Sequence, residues 1–280
     1  MPCTEEEIRS LTGIARELRL TMVDVMAWSG GSHIGGSLSI TEILTILYFK
    51  YLNVKPDNPA WPDRDRFILS KGHAAAGYIP VLAKKGYFPQ EDLKSFNHFG
   101  SPFAMHPDSN KVVGCDASAG SLGHGLSMAV GMGLGARYQK KGFKTVCLMG
   151  DGECCEGSVW EAAMSLSHFK LGNVITIIDR NRLMIDGTTE DVMKLEPFAD
   201  KWRAFGLEVI EIDGHDFAAL SAALDKGWEA KDKPVLILAN TVKGKGVDFM
   251  EGVYKYHSIK VTEEIIEKAI ESVERNRRVR

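Results

Sequence analysis

The sequence predicts an α/β fold, a mostly parallel sheet with helices on both faces. Strand-like and helix-like segments alternate regularly from residue 122 onward, the pattern of parallel strands joined by covering helices. The chain has 280 residues, 44% of them hydrophobic and 25% charged, enough for one large domain with a well-filled core. No internal repeat or low-complexity linker interrupts it, so a single domain over 1–280 is expected.

The first segment, 4–28, has helical periodicity through Ile8, Leu11, Ala15, Leu18, Met22 and Val25. It opens on Thr4 and Glu7 in capping-box spacing and stops at Gly30-Gly31. A second helix is expected over 39–52, with Ser39 and Glu42 in the same spacing. Residues 66–70 read as a strand running into Gly72-His73 and then a helix to Lys84. Residues 90–119, rich in Gly, Pro, His and Asn, read as loop. Then follow helix 122–139, strand 145–149, helix 158–169, strand 174–178, helix 197–205, strand 207–212, helix 217–229, strand 235–239 and a last helix over 262–275. In helix 122–136 the small residues Ala129, Gly131, Gly135 and Ala136 would let another helix approach closely, with packing against the chain's own sheet as the alternative.

Composition excludes several classes. A formal net charge of −3 gives no reason to expect nucleic acid or a membrane surface as partner. Arg275, Arg277, Arg278 and Arg280 read as cations at a helix C-terminus, where they suit its dipole. No cationic, apolar leader opens the sequence. Residues 117–136 carry no Asp, Glu, Lys or Arg, but their six glycines, serines and His124 make them too polar to insert in a membrane. The five cysteines show no zinc-type spacing, and Cys154-Cys155 are adjacent, a poor disulfide geometry. A reducing cytoplasm is the expected compartment.

In a parallel sheet, ligands bind beyond the carboxyl ends of the strands. Strand 145–149 delivers Gly150-Asp151-Gly152 there, and 28 residues separate Gly152 from Asn181, just past the next strand. That interval accommodates one crossover helix, so Asp151 and Asn181 are expected at neighbouring strand tips. A carboxylate and an amide carbonyl are oxygen donors suited to a hard cation, Mg²⁺ or Ca²⁺. The glycines let backbone N–H groups approach phosphates. A metal is needed because a helix N-terminus favours an anion by at most about 2 kcal/mol, too little to offset desolvation of a diphosphate. A bare turn is the bland alternative for Gly-Asp-Gly. A dinucleotide loop is absent, and Lys243-Gly244-Lys245-Gly246 lacks the Walker pattern.

The stretch GDGECCEGSVWEAAMSLSHFKLGNVITIIDRNRLMIDG resembles the thiamine-diphosphate signature of transketolases. So do SGGSHIGGSLS (29–39), SKGHAA (70–75), His106-Pro107, GSLGHG (120–125) and Gly244-Lys245-Gly246 with His257, in transketolase order along essentially the whole chain. The resemblance is to the N-terminal half, the separately encoded subunit of a split transketolase, and implies the diphosphate-binding (PP-type) domain. It assigns the metal to Asp151, Asn181 and the backbone carbonyl of Leu183. Cofactor contacts are implied at His73, Gly120, Ser121, Leu122, Gly150, Asp151, Gly152, Glu153, Asn181, Ile185 and His257, with Glu156 coupling paired active sites. His33 and His106 match histidines that bind the ketose donor's hydroxyl and carbonyl groups. His73 and His257 match histidines near the diphosphate and reacting centre. All four are expected to be catalytic. From the residues alone, four histidines in Gly- or Pro-containing loops plus His257 suggest a polar site for sugar hydroxyls. His98, His168 and His215 match no role and read as structural or surface residues.

Ser121 and His124 depart from the family's usual Pro and Gln. The pyrimidine-binding domain, with the glutamate that drives deprotonation of the cofactor, normally follows in the same polypeptide. Its lack here implies a partner, a C-terminal transketolase subunit in an α2β2 assembly, acting on sugar phosphates by two-carbon ketol transfer. Two related enzymes use similar metal motifs, 1-deoxyxylulose-5-phosphate synthase and the alpha subunit of 2-oxo-acid dehydrogenases. Chain length stands against the first and SGGSHIGGSLS with His33 against the second. The intact histidines and Asp151 stand against a non-catalytic cofactor-binding subunit.

Overall fold

A computed structural model describes residues 3–275; Arg277, Arg278 and Arg280 of the expected basic helix end lie outside the described residues. The elements in chain order are α1 (Glu5–Trp28), β1 (Gly31–Ser32), α2 (Ile34–Leu38), α3 (Thr41–Ile46), β2 (Arg66–Leu69), α4 (Ala75–Lys85), α5 (Gly125–Tyr138), β3 (Thr145–Gly150) and α6 (Gly157–His168). They continue with β4 (Val174–Arg180), α7 (Thr189–Val192), α8 (Phe198–Ala204), β5 (Glu208–Asp213), α9 (Phe217–Glu229), β6 (Val235–Asn240), β7 (Ile259–Lys260) and α10 (Glu263–Arg275).

Five strands form one sheet in the order β2-β3-β4-β6-β5, and every neighbouring pair is parallel. Successive side chains on a strand point to opposite faces, and the two cores follow that alternation. Ile175, Ile177, Val235 and Ile237 join a core with Leu18, Met22, Ile43, Ile79 and Leu220. Val174, Ile178, Leu236 and Leu238 join the other with Leu126, Leu166 and Trp202. Helices α1, α3, α4 and α9 thus cover one face and α5, α6 and α8 the other, as the sequence pattern predicts.

α1 carries the expected capping box: Glu7 N donates to Thr4 Oγ1 at 3.2 Å and Thr4 N to Glu7 Oε2 at 2.8 Å. The second expected helix, 39–52, is present as α3 running directly into a π turn over Leu47–Tyr51, preceded by the short α2 that the sequence did not foretell. Its expected cap is corrected: Ser39 and Glu42 form no capping box. Ser39 Oγ instead donates to Asp179, and Glu42 accepts from Arg19. Buried charges need partners more than a helix end needs a cap.

α5 begins at Gly125, three residues after the expected start. A side chain at Gly133 would strike Val174, whereas one at Gly131 would meet nothing within 4 Å. The helix therefore packs on its own sheet through Gly133 and turns Gly131 to an open groove. β4 runs two residues past its predicted end, taking in Asp179 and Arg180. No described helix is long and apolar enough to cross a membrane. All five cysteines are free.

Candidate active site at the strand tips

β3 and β4 pair in register through Gly150 and Asp179, so the loops after them begin side by side. Asp151 is buried at the first tip. Its Oδ1 accepts from Gly152 N at 2.8 Å, and its Oδ2 from Arg182 N at 2.6 Å and Arg180 Nη1 at 3.2 Å. The bond to Arg182 ties Asp151 to the residue next to Asn181. Asn181 Oδ1 accepts from Leu183 N at 3.1 Å. A carboxylate, an amide oxygen and the Leu183 carbonyl thus belong to one connected turn, a donor set that fits a hard cation. Among the described residues no group of three His, Cys, Asp or Glu could hold a metal, so carbonyl and phosphate oxygens must complete any coordination. Burial, and next the Asp179 charge, push the Asp151 carboxyl above the usual carboxylate range; a cation beside it would relieve both effects.

Two lysines and an aspartate missed by sequence reasoning lie under this turn. Lys71 Nζ donates to Asp179 Oδ2 at 2.6 Å, both side chains being buried. Asp179 also accepts from Ser39 at 2.8 Å, Asn181 Nδ2 at 2.8 Å and the Thr241 hydroxyl. Burial works to raise the Asp179 carboxyl, but the Lys71 charge and these hydrogen bonds outweigh it and hold it below the usual range. Lys243 Nζ donates to the Leu183 carbonyl at 2.8 Å and to His257 Nδ1 at 2.9 Å. Burial, then Lys71, bring the Lys243 ammonium down to about 8. The signals were a charged residue ending an apolar strand, Asp179, Lys71 within SKGHAA, and Lys243 directly before Gly244-Lys245-Gly246.

The four expected catalytic histidines meet. β1 and β7 form a short antiparallel ribbon pairing Gly31 with Lys260 and Ser32 with Ile259, which carries His33 to His257 across a long sequence interval. The His33 ring centroid lies 5.5 Å from His73, 6.0 Å from His106 and 5.4 Å from His257, and His73 lies 5.1 Å from His257. Burial, then Lys71, push His73 down to about 2, and burial, then Lys243, push His257 down to about 3. Burial, then His106 and Lys243, lower His33 as well. These three rings are neutral near pH 7. With Lys243 donating to its Nδ1, His257 carries its proton on Nε2. His33 Nδ1 is buried without a hydrogen-bond partner, a polar atom suited to a ligand hydroxyl.

The segment 120–122 borders the same tips. The residue before it, Ala119, packs on Gly72, where a side chain would collide with the Ala119 carbonyl. Glu153 holds the segment from below, accepting from Gly123 N at 2.9 Å, Gly150 N at 3.0 Å and the Ser70 hydroxyl. Glu153 is buried and braces the two loops together. Gly120 and Ser121 are exposed and Leu122 half-buried. Ile185 is a large apolar side chain 62% exposed, and Glu156 is exposed at the start of α6. His124 occupies the N-cap position of α5 without capping it. His98 Nε2 lies 3.0 Å from the Trp28 carbonyl. A separate cavity of about 580 Å³, lined by none of His33, His73, His106 and His257, is bordered by Arg16, Arg19, Glu42, His215 and Lys245 among others.

A buried carboxylate, nearby carbonyl oxygens and buried cations at parallel strand tips give this α/β domain the donor groups that a phosphate-bearing ligand and its cation require. Residues 11–275 match the transketolase thiamine-diphosphate-binding domain, and the chain belongs to that family. It is 42% identical over 269 residues to the 6-deoxy-6-sulfo-D-fructose transketolase subunit SqwG of Clostridium sp., covering 96% of this chain and 97% of that protein. It is 41% identical to an apulose-4-phosphate transketolase subunit of Phocaeicola vulgatus, covering 95% of each. The Campylobacter jejuni transketolase structure superposes with a TM-score of 0.88 at 33% identity, covering 94% of this chain but 42% of that one. The chain is thus a transketolase-type subunit built on the thiamine-diphosphate-binding fold, and it spans less than half of the full-length enzyme's chain.

Proposed function

We propose that this chain is the thiamine-diphosphate-binding subunit of a two-chain transketolase that moves a two-carbon ketol unit from a ketose phosphate to an aldose phosphate. In this reading 1–280 is one diphosphate-binding domain. A C-terminal subunit contributes the pyrimidine-binding domain and its glutamate, and the two form a cytoplasmic α2β2 assembly. The observation that carries it is the bond from Arg182 N to Asp151, which joins Asp151 to the turn bearing Asn181 and Leu183.

The residues present fit the cofactor and its metal. Asp151, Asn181 and the Leu183 carbonyl would hold Mg²⁺ or Ca²⁺. Gly150, Gly152, His73 and Lys243 would face the diphosphate. Bound there, thiamine diphosphate supplies an acidic thiazolium carbon and an electron sink for carbon–carbon cleavage. The protein supplies orientation and electrostatics. Gly120, Ser121, Leu122 and Ile185 offer an apolar, backbone-rich edge to the aminopyrimidine, and Glu153 fixes that edge relative to Gly150. His33 and His106 bind the donor's hydroxyl and carbonyl groups. Neutral imidazoles at His33, His73 and His257 can both accept and donate a proton, as sugar hydroxyls require. Glu156 couples the paired sites.

A donor class is suggested by the relatives of 40–42% identity, which are named for 6-deoxy-6-sulfo-D-fructose or apulose-4-phosphate and cover 92–96% of this chain. These two sugars are therefore the first donors to assay. Co-expression with the partner subunit should give cofactor-dependent ketol transfer, and neither chain alone should turn over. Full activity from this chain alone, or consumption of pyruvate in place of a ketose, contradicts the reading.

A further inference from the structure

We propose that Arg19, Glu42 and His215 form a buried clamp that positions the turn Val242-Lys243-Gly244-Lys245, and through it Lys243, for the cofactor's diphosphate. The inference rests on the functional reading above and adds to it three positioning residues, among them a histidine to which the sequence assigns no role.

The clamp is a chain of hydrogen bonds with defined directions. Val242 N donates to His215 Nε2 at 2.9 Å. That backbone donor fixes the tautomer: Nε2 is the acceptor, so the ring proton is on Nδ1. His215 Nδ1 in turn lies 3.0 Å from Glu42 Oε2 and donates to it. Arg19 Nη2 reaches both Glu42 oxygens, at 2.6 and 2.8 Å, and Arg19 Nε donates to the Lys245 carbonyl at 2.9 Å. The two arms therefore hold the turn on either side of Lys243, at the amide of Val242 and the carbonyl of Lys245. Each of the three side chains is about one-tenth exposed, so water competes little for these bonds.

The surrounding backbone accepts no other arrangement easily. His215 follows the end of β5, where Asp213 Oδ1 accepts from His215 N at 2.8 Å. Gly244 N donates to the Gly35 carbonyl at 3.0 Å, fastening the centre of the turn to α2. Gly246 has a φ of +94°, and a side chain there would lie 2.6 Å from Arg19 Cδ. A glycine is required at that point because the guanidinium stem lies against the backbone. Held so, Lys243 extends across to the Leu183 carbonyl and His257. The charge that faces the diphosphate is thus set by groups that do not touch the cofactor.

The test uses this chain with its partner subunit, in wild type, His215→Ala, His215→Gln and Leu166→Ala, the last a core truncation on the opposite sheet face. Thiamine diphosphate affinity is measured by calorimetry with Mg²⁺ present, and amide hydrogen exchange is followed over 242–246. His215→Ala should weaken the cofactor about tenfold and speed exchange at Val242. His215→Gln, whose amide can donate to Glu42 and accept from Val242, should stay within about threefold of wild type. Leu166→Ala should lower thermal stability and leave both readouts unchanged. Wild-type affinity and unchanged Val242 exchange in His215→Ala overturn the clamp, as do losses no larger than those of Leu166→Ala. Should wild type bind no thiamine diphosphate, the functional reading fails, and exchange at Val242 still decides whether the clamp exists.

Discussion

Lys243 Nζ stands 2.8 Å from the carbonyl oxygen of Leu183. A buried ammonium therefore shares the backbone oxygen that completes the metal-type donor set at Asp151 and Asn181. Lys71, paired with Asp179, adds a second buried cation below. The strand tips carry more positive charge than the single helix end considered from sequence could supply.

Replacing Lys243 with Met keeps the stem and removes the charge. Thiamine diphosphate affinity of the two-chain enzyme should fall about ten- to a hundredfold, the range of one charge-assisted hydrogen bond. Calorimetric titration checks this, and an unchanged affinity would remove Lys243 from the diphosphate site.

Glu153→Ala should loosen two loops together. It leaves the N–H groups of Gly123 and Gly150 without their acceptor, at a cost of about 1–3 kcal/mol each if they stay buried. Thermal unfolding should shift down, and amide exchange should quicken at both positions. Acceleration at only one would show that Glu153 does not couple them.

The histidine cluster has a pH signature. Because His73 is held down to about 2 and His257 to about 3, neither should show an imidazole titration by NMR between pH 8 and pH 5. The unfolded chain takes up these protons near pH 6.5, so stability from these buried neutral rings is present above that pH and declines below it. A midpoint near 6.5 for either folded ring would contradict the described burial.

Glu42 gives the same sign in a more acidic window. Burial works to raise its carboxyl, but Arg19 and then His215 outweigh it and bring it from 4.5 to about 2. Its contribution, on the order of 3 kcal/mol, is present above about pH 4.5 and lost as pH falls through about 2. The stability gap between wild type and Glu42→Gln should therefore be flat at neutral pH and narrow toward pH 2 in denaturant titrations. A gap constant over that range would mean that Glu42 is not held as an anion.

The parts legible in the sequence were those governed by local pattern. α9 spans 217–229 as expected because Asp216 caps it, accepting from Ala218 N at 2.8 Å, before a clear helical period. Asp151 and Asn181 were legible because a crossover of fixed length constrains where parallel strand tips fall. The illegible parts are tertiary. Ser39 and Glu42 have capping-box spacing, yet buried charges at Asp179 and Arg19 draw both away. The β1–β7 ribbon has two residues in each strand, too few for periodicity, yet it unites His33 with His257. Lys243 lies in a glycine-rich turn that matches no phosphate-binding motif, and its role follows from where the turn packs. His215 read as structural or surface, and only its partners show that it grips the Val242 amide.

The most direct test is a titration of thiamine diphosphate into the two-chain enzyme with Mg²⁺ and with chelator, in wild type and Asp151→Ala. Binding should require the metal in wild type, and Asp151→Ala should lose it by about a hundredfold or more. If Asp151→Ala binds the cofactor as tightly as wild type and with the same metal dependence, Asp151 and Asn181 do not anchor the cation.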